Sequence, residues 1–187
     1  MKVAANTVRK GHVLDRNNKL WVVIKSDIMI PGKGNAIVQI EMKDVRTGVK
    51  TNERYRTQEL VERVQLADHE MQFLFASGDD YTFMDQASFE QYVVQKDIIG
   101  DSYVFLQEGM VCNVQTHENA PLSVELPPSV VLQIVEADPV VKGQTASSSY
   151  KPAKLENGVR VMVPPFIEAG TKIVVNTTDC SYVERAK

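Results

Sequence analysis

Apolar positions along this chain fall in short runs rich in Val, Ile, Phe and Tyr, and each run is bounded by Gly, Pro, Asp or Asn. The pattern predicts strands over residues 20–24, 36–42, 72–75, 81–84, 102–106, 111–116, 122–126, 130–136, 160–163, 172–176 and 182–185. Residues 36–42 show the alternation best, with apolar and polar side chains taking turns after Gly34. One stretch departs from this pattern: in residues 85–92 Asp85 is placed to cap a short helical turn, and Ser88 opens a helix-compatible run. Many short strands separated by turn residues predict an all-β chain built of sandwiches or small barrels.

Two interruptions divide the pattern. Around residues 66–71 the charge balance reverses, and at Pro127-Pro128 two residues that cannot extend a strand ladder separate consecutive strand runs. Residues 143–150 are small, polar and without periodicity, so they predict a surface loop that is either a linker or packs against a partner's backbone. At 187 residues the chain has room for one large domain or for two to three small ones; three modules of roughly 60 residues would each be marginal alone.

The sharpest local signal is the turn Pro31-Gly32-Lys33-Gly34 between two strand-like runs. Pro31 sets the first corner, and the two glycines predict conformations that a side chain would penalise, leaving nothing beside Lys33 to cover it. Two readings follow: an ordinary solvent-facing hairpin lysine, or a slender cationic tip made to enter a narrow anionic cavity.

Charge adds direction. The net charge is -3, yet residues 1–63 carry 13 Lys and Arg against 7 Asp and Glu, so the acidic excess lies entirely in the remainder. A basic head on an acidic body orients a protein toward phosphates and limits non-specific contact elsewhere. Arg9, Lys10, Lys25, Lys43, Arg46, Lys50, Arg54, Arg56 and Arg63 are interspersed with strand positions rather than gathered in a tail, which predicts either a folded phosphate-facing surface or an ordinary solvated one. With 43% hydrophobic and 24% charged residues the composition is that of a folded globular chain. No run approaches the roughly 20 apolar residues that cross a bilayer, and no apolar segment follows Lys2 as a secretory signal requires, so the expected compartment is the cytoplasm and no membrane partner is expected.

Catalytic patterns are absent. His12, His69 and His117 are scattered without acid or thiol neighbours at metal-ligand spacing, so no metal site is expected. Neither a GxSxG elbow, a GxxxxGK[ST] loop nor a GxGxxG fingerprint occurs, and Asp79-Asp80 reads as turn chemistry. Cys112 and Cys180 read as reduced thiols. No catalytic residue is assigned, and an enzyme is not expected; a general RNA-binding β-barrel or a small nucleotide-directed enzyme are the rival readings.

At full length the sequence resembles the bacterial elongation factor P family. The resemblance rests on Ile30-Pro31-Gly32-Lys33-Gly34-Asn35-Ala36 followed by Lys43-Asp44-Val45-Arg46-Thr47-Gly48, on Val141-Lys142-Gly143-Gln144-Thr145-Ala146, and on the long run from Lys151 through Pro164-Pro165-Phe166-Ile167, with Gly170 and Val183 in family-like places. It implies an N-terminal SH3-like, KOW-type barrel over residues 1–63 and two OB-type barrels over 64–126 and 127–187, in an L-shaped outline like that of transfer RNA. It further implies a translation elongation factor, active as a monomer. This factor contacts both ribosomal subunits, ribosomal RNA and the acceptor end of peptidyl-tRNA, and relieves stalling at consecutive prolines. Lys33 would be the functional tip and, in lysine-bearing relatives, the target of a lysine-modifying enzyme that attaches β-lysine or a related group; no other cofactor is implied. Arg9, Lys43, Arg46, Arg54, Arg56, Lys154 and Arg160 become candidate RNA contacts. Two departures stand out: Ile28-Met29-Ile30 replaces a more polar approach to the tip, bearing on recognition by the modifying enzyme, and residues 146–150 replace a glycine-richer stretch, predicting a stiffer loop.

Overall fold

The computed structural model describes residues 1–139 and 150–187. The chain is all-β, its strands gathered into three antiparallel sheets among the described residues. By contacts it forms two compact units, one of residues 1–68 with 115–122, the other of residues 69–114 with 123–187.

The first sheet holds β1 (Lys2–Ala4), β2 (Val13–Arg16), β3 (Lys19–Met29), β4 (Ile37–Asp44), β5 (Lys50–Arg56) and β6 (Leu60–Val64) in the order β1-β6-β2-β3-β4-β5. The two residues joining β2 to β3, Asn17 and Asn18, both take positive φ, 54° and 58°, and so form the primed turn whose twist matches antiparallel strands. In β4 Val38, Ile40, Met42 and Asp44 point inward while Ile37, Gln39, Glu41 and Lys43 stay half exposed. Val38, Ile40 and Met42 pack with Ala5, Val8, Leu14, Val23 and Val61 in one core. The sheet curls on itself: Arg16 of β2 reaches Glu53 of β5 at 2.5 Å although β3 and β4 lie between them in the sheet, and Ala5 N–H donates to the Glu59 carbonyl at 2.8 Å.

The second sheet is ordered β11-β10-β7-β8-β9, from β7 (Ala67–Ser77), β8 (Asp80–Asp85), β9 (Gln91–Gln95), β10 (Val111–His117) and β11 (Ala120–Glu125). The third is ordered β14-β13-β12-β15-β16, from β12 (Ser129–Ala137), β13 (Lys151–Leu155), β14 (Arg160–Val163), β15 (Lys172–Asn176) and β16 (Tyr182–Arg185). Both sheets contribute to one continuous apolar cluster that includes Phe73, Phe83, Phe105, Leu126, Leu132, Ile134, Leu155 and Ile173. Polar contacts reinforce it: Asn157 Nδ2 donates to the Val104 carbonyl at 2.9 Å and Gln107 Nε2 to the Val131 carbonyl at 3.0 Å.

One six-residue turn occurs in every sheet. Between β4 and β5, Asp44 Oδ1 accepts the Arg46 and Thr47 N–H groups, Gly48 N–H donates back to the Asp44 carbonyl, and Asp44 N–H donates to the Val49 carbonyl. Asp85 repeats this pattern with Ala87, Ser88, Phe89 and Glu90, and Asn176 repeats it with Thr178, Cys180 and Ser181. The fifth residue is left-handed each time: Gly48 at φ 73°, Phe89 at 61°, Cys180 at 56°.

This turn corrects the helix expected over residues 85–92. Asp85 does accept the two N–H groups that a helix N-cap accepts, but one left-handed residue later the chain reverses into β9, so the capping signal is real and the helix is not. The helical elements nearby are instead α1 (Lys96–Ile99) and the 3-10 segment Gly100–Phe105. The latter overturns the strand expected over residues 102–106: the run finds no partner strand, and Phe105 and Tyr103 turn into the core by winding. Strands β1, β2, β5, β6, β9 and β13 lie outside the expected set because they are short or alternate between polar residues. The expectations for residues 141–149 lie outside the described residues; Tyr150 is exposed.

Candidate functional site at the hairpin tip

β3 and β4 form the longest hairpin of the first sheet, paired from Trp21↔Asp44 to Met29↔Ile37, with a bulge between Val23 and Lys25. Seven residues, Ile30 to Ala36, cross between them, and residues 31–35 are all exposed. Gly34 has φ 131°, a conformation that side chains rarely adopt, and a Cβ there would sit 3.7 Å from Pro31 Cγ. Gly32 differs from the expectation: its φ lies outside the left-handed region, and a Cβ on it would meet nothing within 4 Å. Its contribution is therefore bareness. No carboxylate among the described residues pairs with the Lys33 ammonium, which leaves it to water.

Behind the tip, register places cations together. Residues directly opposite in an antiparallel pair share a face. One row runs Met29, Ile37, Arg56; the next Asp27, Gln39, Arg54; then Lys25, Glu41, Asn52; then Val22, Lys43, Lys50. Arg54, Arg56, Lys43, Lys25 and Lys50 thus share one outer face. Asp27 lies 2.6 Å from Lys25, which raises the lysine's pKa and balances that carboxylate. The Arg54 and Arg56 guanidiniums have no carboxylate partner among the described residues. In the sequence Lys50, Asn52, Arg54 and Arg56 are two apart, but without apolar periodicity this spacing does not by itself mark a strand, and the pairing with β4 is what assigns them one face.

The other candidates lie elsewhere. Arg46 is exposed in the turn after β4, held by its own N–H to Asp44. Arg9 is tied into its own loop, its Nη1 donating to the Asn6 carbonyl at 2.7 Å and the Val8 carbonyl at 2.9 Å. Lys154 and Arg160 belong to the other compact unit, directly opposite one another on β13 and β14 and both exposed.

Elsewhere the shifted titratable groups answer to the fold. The Asp44 carboxyl is held below the usual carboxylate range by the Thr47 N–H foremost, then by the Arg46 N–H and the Lys19 charge, against the effect of burial. Asp85 is lowered in the same way by the Ser88 and Ala87 N–H groups and by His69, whose Nδ1 lies 2.7 Å from Oδ2. Burial, with Arg63 and Arg9 nearby, lowers the pKa of His12. Burial pushes the Cys112 thiol up to about 11, that of an inert core residue. Among the described residues no cluster of three or more His, Cys, Asp or Glu is arranged to hold a metal ion, and no helix is long and apolar enough to cross a membrane.

Three family profiles match in succession: the elongation factor P KOW-like domain over residues 4–61, the elongation factor P OB domain over residues 66–124, and the elongation factor P C-terminal domain over residues 130–185. Among curated proteins the chain is similar to the elongation factor P of Rhodospirillum centenum, 66% identical over 187 residues and covering all of both chains. It is 55% identical to that of Rhodospirillum rubrum and 54% identical to that of Paramagnetospirillum magneticum, again over the whole of both chains.

Proposed function

This chain belongs to the elongation factor P family, and from that premise we propose how its residues do the family's work. It is a translation elongation factor, not an enzyme. It binds the ribosome and stimulates peptide-bond formation, relieving stalling at consecutive prolines. Its tip, Pro31-Gly32-Lys33-Gly34, enters the ribosome beside peptidyl-tRNA, and the Lys33 ammonium contacts the backbone of the acceptor end. Arg54, Arg56, Lys43 and Arg46 hold neighbouring phosphates of ribosomal or transfer RNA.

One observation carries this reading: a lysine at the end of the longest hairpin of its sheet, flanked by two glycines and matched to no carboxylate of its own chain among the described residues. A buried or paired lysine would serve the fold; this one is kept available. The chemistry asked of it is positional. Proline's ring restrains both the attacking amine and the nascent chain, and misaligned reactants forfeit rate, since alignment is worth up to about 7–11 kcal/mol in intramolecular reactions. A cation that steadies the acceptor end restores geometry and leaves acid–base chemistry to the ribosome.

Finer points belong to the same proposal. Lys33 is the modified residue, lengthened by a β-lysine-type group that a dedicated enzyme attaches, and the exposure of residues 31–35 gives such an enzyme access. The chain acts as a monomer in the cytoplasm. Its domains are residues 1–63, 64–126 and 127–187, a division supported by the sheet boundaries between β6 and β7 and between β11 and β12. Lys154 and Arg160 are local RNA contacts of the acidic part.

The test is a reconstituted translation assay on a message with consecutive prolines. Lys33→Ala should leave the melting temperature unchanged within error, because the side chain touches no core, and should abolish most of the rescue. Full rescue by a normally folded Lys33→Ala protein would overturn the assignment. Mass analysis of the Lys33 peptide from the native host should show the added group; an unmodified peptide from a fully active protein would remove the modification from the account.

A further inference from the structure

The approach to the tip carries a feature that Lys33 does not explain. Ile28, Met29 and Ile30 are 53%, 45% and 79% exposed, a consecutive run of large apolar side chains in water, and Ile30 is the most exposed large apolar residue among the described ones. Ile28 lies opposite the inward-facing Val38, on the other face of β3, which leaves Met29 and Ile30 beside the tip; scattered exposed apolar residues are ordinary, whereas neighbouring ones at the end of a hairpin mark a surface that is covered in use. Met29 lies in one row with Ile37 and Arg56, and the next row ends in Arg54. The one acid of these two rows, Asp27, is matched by Lys25 at 2.6 Å. Apolar side chains here are therefore set beside cations that no carboxylate pairs among the described residues.

We propose that Met29 and Ile30 form an apolar collar below Lys33 that packs on the base and ribose faces of an RNA strand whose phosphates are held by Arg54, Arg56 and Lys33. The inference rests on the reading of Lys33 as an RNA-entering tip and adds a second, uncharged determinant to it. RNA is the occupant that both halves of the surface fit. Unstacked bases and riboses offer apolar faces to Ile, Met and Pro wedges, and the phosphates of the same strand need the flanking guanidiniums. An apolar protein groove would leave those cations unanswered, and an acidic protein surface would leave the collar in water.

The two determinants differ in salt dependence, which separates them. Each phosphate contact releases counterions and contributes to the slope of affinity against salt; an apolar contact does not. The experiment measures binding of the unmodified full-length protein to ribosomes stalled on consecutive prolines with peptidyl-tRNA in place, over a potassium chloride series. Ile30→Ser and Met29→Ser should each weaken binding by about tenfold with the salt slope unchanged, and Ile30→Val should bind nearly as wild type. Lys33→Ala should lower the slope by about one. Serine variants that bind like wild type, or that lower the slope, would overturn the collar. If Lys33→Ala leaves affinity, slope and rescue untouched while Ile30→Ser weakens binding, the tip assignment fails and the collar stands. Because the protein is unmodified throughout, wild-type binding by Ile30→Ser together with loss of the mass added to its Lys33 peptide in the native host would show that the collar serves the modifying enzyme, and would also overturn it.

Discussion

Phe89 shows at the scale of one residue how a fold tolerates local cost. It holds φ 61° with its ring 70% exposed, in the position that Gly48 occupies in the equivalent turn of the first sheet. A left-handed conformation costs a bulky residue about 1–2 kcal/mol, and glycine's extra unfolded-state freedom returns about half of that. Phe89→Gly should therefore stabilise the protein by up to about 1 kcal/mol and raise the melting temperature by roughly 2–4 °C; calorimetry showing a fall would mean that the exposed ring makes an unrecognised contact. The first residue of the same turn sets an acid response. Asp44 and Asp85 both have lowered pKa values, so their contribution is complete above the ordinary carboxylate value of about 4 and disappears as pH falls through the lowered ones. Asp85→Asn keeps an acceptor oxygen for the two N–H groups, just as Asn176 Oδ1 accepts the Thr178 N–H in the third sheet, but cannot titrate. Its urea midpoint should fall less than that of wild type between pH 5 and pH 2, two conditions about one unit above and two below that value; an unchanged acid limb would place the response elsewhere.

Among elements, the β3–β4 hairpin was the most legible part of the sequence. The alternation of residues 36–42 and the Pro-Gly-Lys-Gly turn located it without structural help, because an amphipathic strand and a tight turn both leave strong local signals. Strand β5 was not legible. Its alternating residues are Lys, Asn and Arg on one side against Thr, Glu and Tyr on the other, so apolar periodicity passes over it, and only pairing with β4 reveals a strand. The candidate site divides in the same way: Lys33 was readable from its neighbours in sequence, whereas the shared face of Lys43, Arg54 and Arg56 depends on register across the sheet. Register also ranks these residues. Arg54→Gln and Arg56→Gln should each lower the salt slope of ribosome binding by about one, while Arg9→Gln should change it little because Arg9 is spent on its own loop. An equal slope change in all three would show that proximity to the hairpin does not select the contacts.

Over the whole molecule, the second and third sheets share one core, although the break at Pro127-Pro128 separates their strands in sequence. Sequence breaks such as Pro127-Pro128 mark where strands stop; they carry no information about whether the sheets on either side bury their inner faces together. The shared core has a measurable consequence. Phe83, fully buried in the second sheet, should cost about 3–5 kcal/mol when changed to Ala, and the loss of hydrogen-exchange protection should reach β12 and β15 of the third sheet as well. Protection lost only in the second sheet would show that the two open independently.

The bareness of the tip loop bears on how such a factor changes over generations. Gly32, whose surroundings are open, and Lys33, which no carboxylate pairs among the described residues, impose no packing rules on what replaces them, so this end is free to drift, lengthen or exchange its cation while the strands beneath stay as they are. On the reading proposed above, selection at those few positions answers to whatever the tip binds, and novelty arises there without first disturbing foldability.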